Sequence, residues 1–180
     1  IATQGVLPLL GGAGPVSPAL EPIPPHAVAA DAQPFVVDTD MAADDWLAIL
    51  YLLGRSDVDV RAITVTGAGE AHCAAGTRNA LALVALAGRP EIPVACGRET
   101  PLAGDRAFPA EWRAAVDSLL GLELPQNSRA ASAEPAAQLL ARIVRESPQK
   151  VHLVSLGPLS NVAEALQADP TLVLNLEGIT

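Results

Sequence analysis

A mostly parallel α/β sheet with helices on both faces is the fold class this sequence predicts, and three observations predict it. Short β-branched runs alternate with longer amphipathic segments from Pro34 onward. The first such run ends in clustered aspartates and passes directly into a helical pattern. Half of the residues are hydrophobic but only 3% are aromatic, so the interior must be built from Ala, Leu and Val, which suits helices lying close on a sheet. At 180 residues the chain is the size of one domain and can bury a real core.

Residues 1–33 read as a Pro/Gly/Ala-rich leader, flexible or surface-bound, because Pro22, Pro24 and Pro25 block both helix and central strand. Within it, Val6 to Ala19 resembles the end of a signal peptide's apolar region followed by small residues, a sign of export. A chain trimmed at that point would read the same. The α/β domain is expected over residues 34–180. Its first strand is Pro34 to Asp38, a β-branched run suited to a buried parallel position. The helix over Ala43 to Gly54 carries Trp46, Leu47, Ile49, Leu50, Leu52 and Leu53 on a broad apolar face, and Gly54 stops it. Strand Val60 to Thr66, helix Ala71 to Ala87 and strand Ile92 to Ala95 repeat the alternation. A long loop leads to a helix near Glu134 to Glu146, then strand Val151 to Ser155 and helix Pro158 to Gln167. Such spacing indicates right-handed βαβ crossovers, and in parallel sheets ligands gather beyond the carboxyl ends of the strands. Asp38 to Asp45, Thr66 to Glu70, Cys96 to Thr100 and Ser155 to Asn161 are therefore the segments to inspect.

A net charge of −9 argues against nucleic acid as partner, since that affinity rests on Lys and Arg neutralising phosphates. No apolar run reaches the roughly 18 residues that a membrane helix needs. Cys73 and Cys96 are too few for a disulfide framework and have no zinc-spaced partners, so they read as two small core residues.

Asp38, Asp40, Asp44 and Asp45 fall within DTDMAADD at a strand-to-helix junction. Carboxylates this close repel one another unless a cation or protons intervene. Oxygen donors at that density, with no His or Cys nearby, suit a hard ion such as Ca²⁺ or Mg²⁺. Helix capping would account for Asp44 and Asp45 alone. It leaves Asp38 and Asp40, which leave the strand toward the same point, unexplained.

DTDMAADD followed by WLAILYLL resembles the signature of the inosine-uridine type nucleoside hydrolases, and three further segments agree in order: Ala62 to Gly67 (AITVTG), Thr77 to Ala80 (TRNA) and Leu153 to Asn161 (LVSLGPLSN). The likeness runs from Phe35 to Thr180. It implies a Rossmann-like core and hydrolysis of the N-glycosidic bond of a ribonucleoside, with Ca²⁺ as cofactor. Asp40 and Asp45 would ligate the ion together with the Leu156 backbone carbonyl. Asp40 would also be the general base toward a metal-bound water, Asp44 would hold ribose hydroxyls, and Asp38 would orient the loop from behind. The resemblance further implies a homo-oligomeric parent and a chain truncated at its C-terminus. Past Glu177-Gly178-Ile179-Thr180 the family continues into a Met-Gly-Gly strand end and supplies another Asp and often a His that protonates the leaving base, so a C-terminal remainder or second chain is expected to complete the site, and this chain alone to be inactive. His26 lies in the leader and His152 on a strand.

Two departures matter. Where the family often has Pro-Gly after the second Asp, Met41-Ala42 stands here, lacking glycine's freedom at positive φ, so the turn is expected to differ in shape. Where many members place an Asn that reaches the nucleoside, the sequence reads Gly67-Ala68-Gly69-Glu70, which makes Glu70 the expected substrate contact and leaves His72 as a structural or solvated residue. Two rivals stand beside this reading. One is a ribose- or nucleoside-binding module without catalysis; the other is a haloacid-dehalogenase-like Mg²⁺ phosphatase with Asp38 as nucleophile, which has no place for the adjacent pair Asp44-Asp45.

Overall fold

The computed structural model describes residues 20–25 and 27–180. The apolar stretch Val6 to Ala19 and His26 lie outside the described residues. Five parallel strands form one sheet: β1 (Gln33–Thr39), β2 (Val58–Val65), β3 (Val94–Cys96), β4 (Val151–Ser155) and β5 (Leu176–Ile179), in the order β3-β2-β1-β4-β5. Helices α1 (Ala43–Leu53), α2 (Cys73–Leu86), α3 (Ala110–Asp117), α4 (Ala136–Glu146) and α5 (Ser160–Ala168) connect them. The expected α/β architecture is therefore what the chain adopts.

Strand alternation sorts the core into two layers. Val37, Ile63 and Val94 face Trp46, Ile49 and Leu53 of α1 and Ala80, Leu83 and Val84 of α2. Their neighbours Val36, Ala62 and Ala95 face Leu139, Leu140 and Val144 of α4 and Val162 and Ala165 of α5. Small Ala62 and Ala95 on the second face let α4 approach the sheet closely.

Three findings depart from the sequence-based expectations. Helix α3 lies inside the stretch expected to be a long loop. The apolar face of α1 is narrower than its composition suggests, for Leu47 is 72% exposed and Tyr51 62%. Cys73 and Cys96 are not two separate core residues but one disulfide joining the start of α2 to the end of β3, with Cα atoms 5.6 Å apart. Beside these, Met41 takes φ 60 although it is not glycine, which gives the turn after β1 a left-handed residue. Such a conformation costs an L-residue about 1–2 kcal/mol. Three contacts hold it: Met41 N–H donates to Thr39 Oγ1 at 2.8 Å, the Trp46 indole donates to the Met41 carbonyl at 2.8 Å, and the Met41 side chain is fully buried.

The strand order reverses direction between β1 and β4: the chain leaves β1 toward β2 on one side, and β4 leads to β5 on the other. The loops after β1 and β4 thus diverge at the carboxyl edge and leave a crevice, the place where open α/β sheets bind ligands.

Candidate functional site

Asp38 is the last residue but one of β1 and is fully buried. Its Oδ1 accepts from the Thr64 hydroxyl at 2.6 Å and from the Asn161 amide at 2.8 Å, tying β1 to β2 and to the start of α5. Burial pushes its carboxyl up to about 6 despite those two donors. A nucleophile has to be reachable, so the phosphatase alternative loses its key residue. Asp38 instead cross-links β1, β2 and the start of α5 beneath the loop.

Asp40 emerges at the crevice, only 5% exposed. Its Oδ2 accepts from the Glu70 N–H at 3.1 Å, its backbone carbonyl accepts from the Ala71 N–H at 3.0 Å, and its Oδ1 is buried without a partner. Two glycines make room for it. A Cβ at Gly69 would stand 2.5 Å from Asp40 Cγ, and one at Gly157 would stand 2.9 Å from the same atom. Both are closer than carbon atoms tolerate, so the β2–α2 loop and the Ser155-Leu156-Gly157 turn grip the carboxylate from two sides.

Asp45, in the first turn of α1, is buried and accepts from the Thr39 hydroxyl at 2.6 Å. Burial raises its carboxyl, and the neighbouring charges of Asp40 and Asp44 raise it further. Asp44 is exposed on the same turn. Glu70 is half-buried, and its carboxyl is raised by burial and by the charges of Asp40 and Asp44. Four acids therefore meet where β1 and β2 end. The Leu156 N–H donates to the Asp38 carbonyl at 2.8 Å, which sets the turn after β4 beside them.

A hard cation fits this donor set in part. Asp40 Oδ1 is buried without a partner, Asp45 is raised by burial and then by the charges of Asp40 and Asp44, and every donor is oxygen. Among the described residues, however, no group of three or more His, Cys, Asp or Glu side chains is arranged to hold a metal by itself. Two carboxylates and a carbonyl are fewer than the roughly six to eight oxygens Ca²⁺ takes.

Neither described histidine joins the acids. His72 caps the start of α2, and its Nδ1 lies 2.6 Å from Asp117 of α3. His152 stacks on Phe35 within the sheet, ring centroids 5.0 Å apart. Gly69, Gly157 and Asn161, which seat Asp40 and Asp38, fall in the expected segments Thr66 to Glu70 and Ser155 to Asn161, but their roles were not foreseen from the sequence. Among the described residues no helix is long and apolar enough to cross a membrane.

Residues 35–180 match the profile of the family described as inosine-uridine preferring nucleoside hydrolase. Uridine nucleosidase 1 of Arabidopsis thaliana is 35% identical over 144 residues, which is 80% of this chain and 43% of that protein. A pyrimidine-specific ribonucleoside hydrolase of Salmonella enteritidis is 37% identical over 141 residues, 78% of this chain and 45% of its own. Among solved structures, a plant nucleoside hydrolase superposes with a TM-score of 0.71 at 34% identity, over 82% of this chain and 46% of that one. A purine-preferring ribonucleoside hydrolase from Gardnerella vaginalis gives 0.70 at 29% identity, over 82% and 47%. The chain thus spans a little under half the length of these relatives. Since the profile match begins within β1 and runs to Thr180, and the sheet superposes on solved members, the chain belongs to the inosine-uridine preferring nucleoside hydrolase family.

Proposed function

We propose that the whole protein of which this chain is a part hydrolyses the N-glycosidic bond of ribonucleosides to ribose and free base, with Asp40 as general base. The observation that carries this reading is the seating of Asp40: one carboxylate oxygen is held by a backbone N–H while the other is buried and unpartnered in a crevice of acids. A base so fixed can take the proton of a water as that water's oxygen bonds to the anomeric carbon and the carbon–nitrogen bond breaks. Positive charge develops on the sugar ring in that transition state, and Asp40, Asp44, Asp45 and Glu70 supply the opposing charge. Asp44, exposed on the first turn of α1, would accept hydrogen bonds from ribose hydroxyls, together with Glu70, whose carboxyl is close enough to feel the charge of Asp44. Asp40, Asp45 and the Leu156 carbonyl would hold Ca²⁺, which supplies an anchor for water and ribose oxygens when bound. The further oxygen donors and the acid for the leaving base would come from a C-terminal remainder or a second chain, within a homo-oligomer. The relatives divide by name into uridine-, pyrimidine- and purine-directed enzymes while sharing this half, which fits a half devoted to the ribose and the ion.

One experiment tests it. In the whole protein, calcium binding is followed by calorimetry and ribose release from inosine and uridine is assayed, beside a variant carrying both Asp40→Asn and Asp45→Asn. The variant should lose calcium binding and turnover. Equal calcium affinity in both proteins would refute the assignment, and calcium-dependent nucleoside binding without base release would favour the non-catalytic binding module. The 180-residue chain alone is expected to release no base.

A further inference from the structure

Asp40 owes its orientation to the segment Gly67 to Ala71, yet little within that segment holds it in shape. It is an irregular loop that gives its Glu70 and Ala71 N–H groups to Asp40. Its outward carbonyls would need partners of their own. They find one in α3. Arg113 Nη2 donates to the Gly67 carbonyl at 2.8 Å and to the Ala71 carbonyl at 3.0 Å, so one nitrogen bridges both ends of the loop. The Arg113 side chain is only 12% exposed, and Glu99, 3.7 Å away, offsets its charge. A buried guanidinium is costly unless its donors are used, and two of the uses here are those carbonyls.

Other contacts fix α3 against the same region. Asp117 accepts from the His72 N–H at 2.9 Å, and Arg78 and Asn79 of α2 donate to the Asp117 carbonyl at 3.0 and 3.2 Å. Glu99 also accepts from the Cys73 N–H at 3.0 Å, beside the disulfide. The arm that carries Arg113 is thus anchored independently of the loop it grips.

We propose that Arg113 is a positioning residue for the reaction: by bridging the Gly67 and Ala71 carbonyls it holds the Glu70 N–H on Asp40 Oδ2 and so fixes the base. The proposal rests on Asp40 acting as that base. Lys at this position would have to bring its ammonium, on a differently shaped stem, to the place of Nη2 to make the same two bonds.

The test uses Arg113→Ala and Arg113→Lys in the whole protein, with two readouts. The first is amide hydrogen exchange at Glu70 and Ala71, which does not depend on activity. Exchange there should quicken at least about tenfold in Arg113→Ala, with the strands of the sheet unchanged. The second is steady-state kinetics: kcat should fall by about tenfold to a hundredfold with KM nearly constant, since displacing a reacting group by about 1 Å costs that much. Low guanidinium chloride, below any unfolding, should restore part of the lost kcat, whereas the same concentration of sodium chloride or urea should not. Should Arg113→Ala not fold, Arg113→Lys carries both readouts with a smaller loss of about threefold to tenfold. Unchanged exchange at Glu70 and Ala71 overturns the proposal whatever the activity. Quickened exchange in a protein whose unaltered form releases no base upholds the clamp and refutes Asp40 as base.

Discussion

Replacing Gly69 with Ala adds one methyl group where the structure has no place for it. That carbon would stand 2.5 Å from Asp40 Cγ, against roughly 3.5 Å for an ordinary carbon contact, so something has to move by about 1 Å. Asp40 cannot retreat, because Gly157 closes on its far side. The loop cannot easily yield either, being held by its own N–H bonds to Asp40 and by Arg113. Forcing a methyl into such a site costs about 1–3 kcal/mol, read as a fall in Tm of about 3 °C per kcal/mol for a domain of this size. A shift of about 1 Å in the base should lower kcat by about a hundredfold. The control is Gly178→Ala on β5, where the added carbon would meet only the His152 ring, its Cε1 at 3.6 Å, and where stability should change by less than about 0.5 kcal/mol. Thermal unfolding and ribose release on the whole protein measure both effects. A Gly69→Ala protein with unaltered Tm and kcat would refute the argument that the loop encases Asp40.

Three further outcomes are expected. Asp44→Ala should chiefly weaken ribonucleoside binding and Asp40→Asn chiefly depress turnover, by about 10²-fold or more; equal loss of turnover in both at unchanged substrate affinity removes the division of roles. Breaking the Cys73–Cys96 bridge, which spans 23 positions, should cost roughly 3 kcal/mol in denaturant unfolding of oxidised against reduced protein, and thiols that alkylate fully without reductant would contradict the bridge. With a chelator present, stability should rise as pH falls from about 7 toward 5. Asp38, at about 6 when folded against an ordinary 3.8, takes up its proton sooner in the folded state, which favours folding progressively as pH drops through 6. Burial pushes Asp45 the same way. Asp38→Asn should flatten the profile, and a flat profile in the unaltered protein would remove the effect.

The parts of this molecule legible in its sequence are those whose residues speak locally. The β-branched run at Val36-Val37, the apolar periods of α2 and α4 and the Asp spacing each encode their element within a few neighbours, so strands and crossovers stand close to where they were expected. Helix α3 was not legible because only Val116 of its residues is buried. It is held by polar contacts to α2 and to the β2–α2 loop rather than by an apolar stripe, and such contacts leave no period to read. The disulfide was hidden for a similar reason, since two cysteines carry no framework until the fold brings α2 to β3. Leu47 misled in the opposite direction by being apolar yet outside the core. At the site, the acids were visible as a cluster. The residues that confer their geometry were not: Gly69, Gly157, Asn161 and Arg113 come from three separate segments and are ordinary residues in each.

Met41 fills a left-handed turn with a large side chain instead of a glycine, and that choice ties the turn to the interior. Its backbone angle is set by the Thr39 hydroxyl, by the Trp46 indole and by the close approach of Gly76, whose added Cβ would lie 3.3 Å from Met41 Cγ. The turn lies between Asp40 and Asp45, so spacing between those acids is written into the hydrophobic layer under α1 rather than into local chain flexibility. Trp46 and Gly76 belong to the interior, yet both bear on the turn that spaces those acids. The firmness of the interior and the spacing of the crevice acids therefore depend here on the same few atoms.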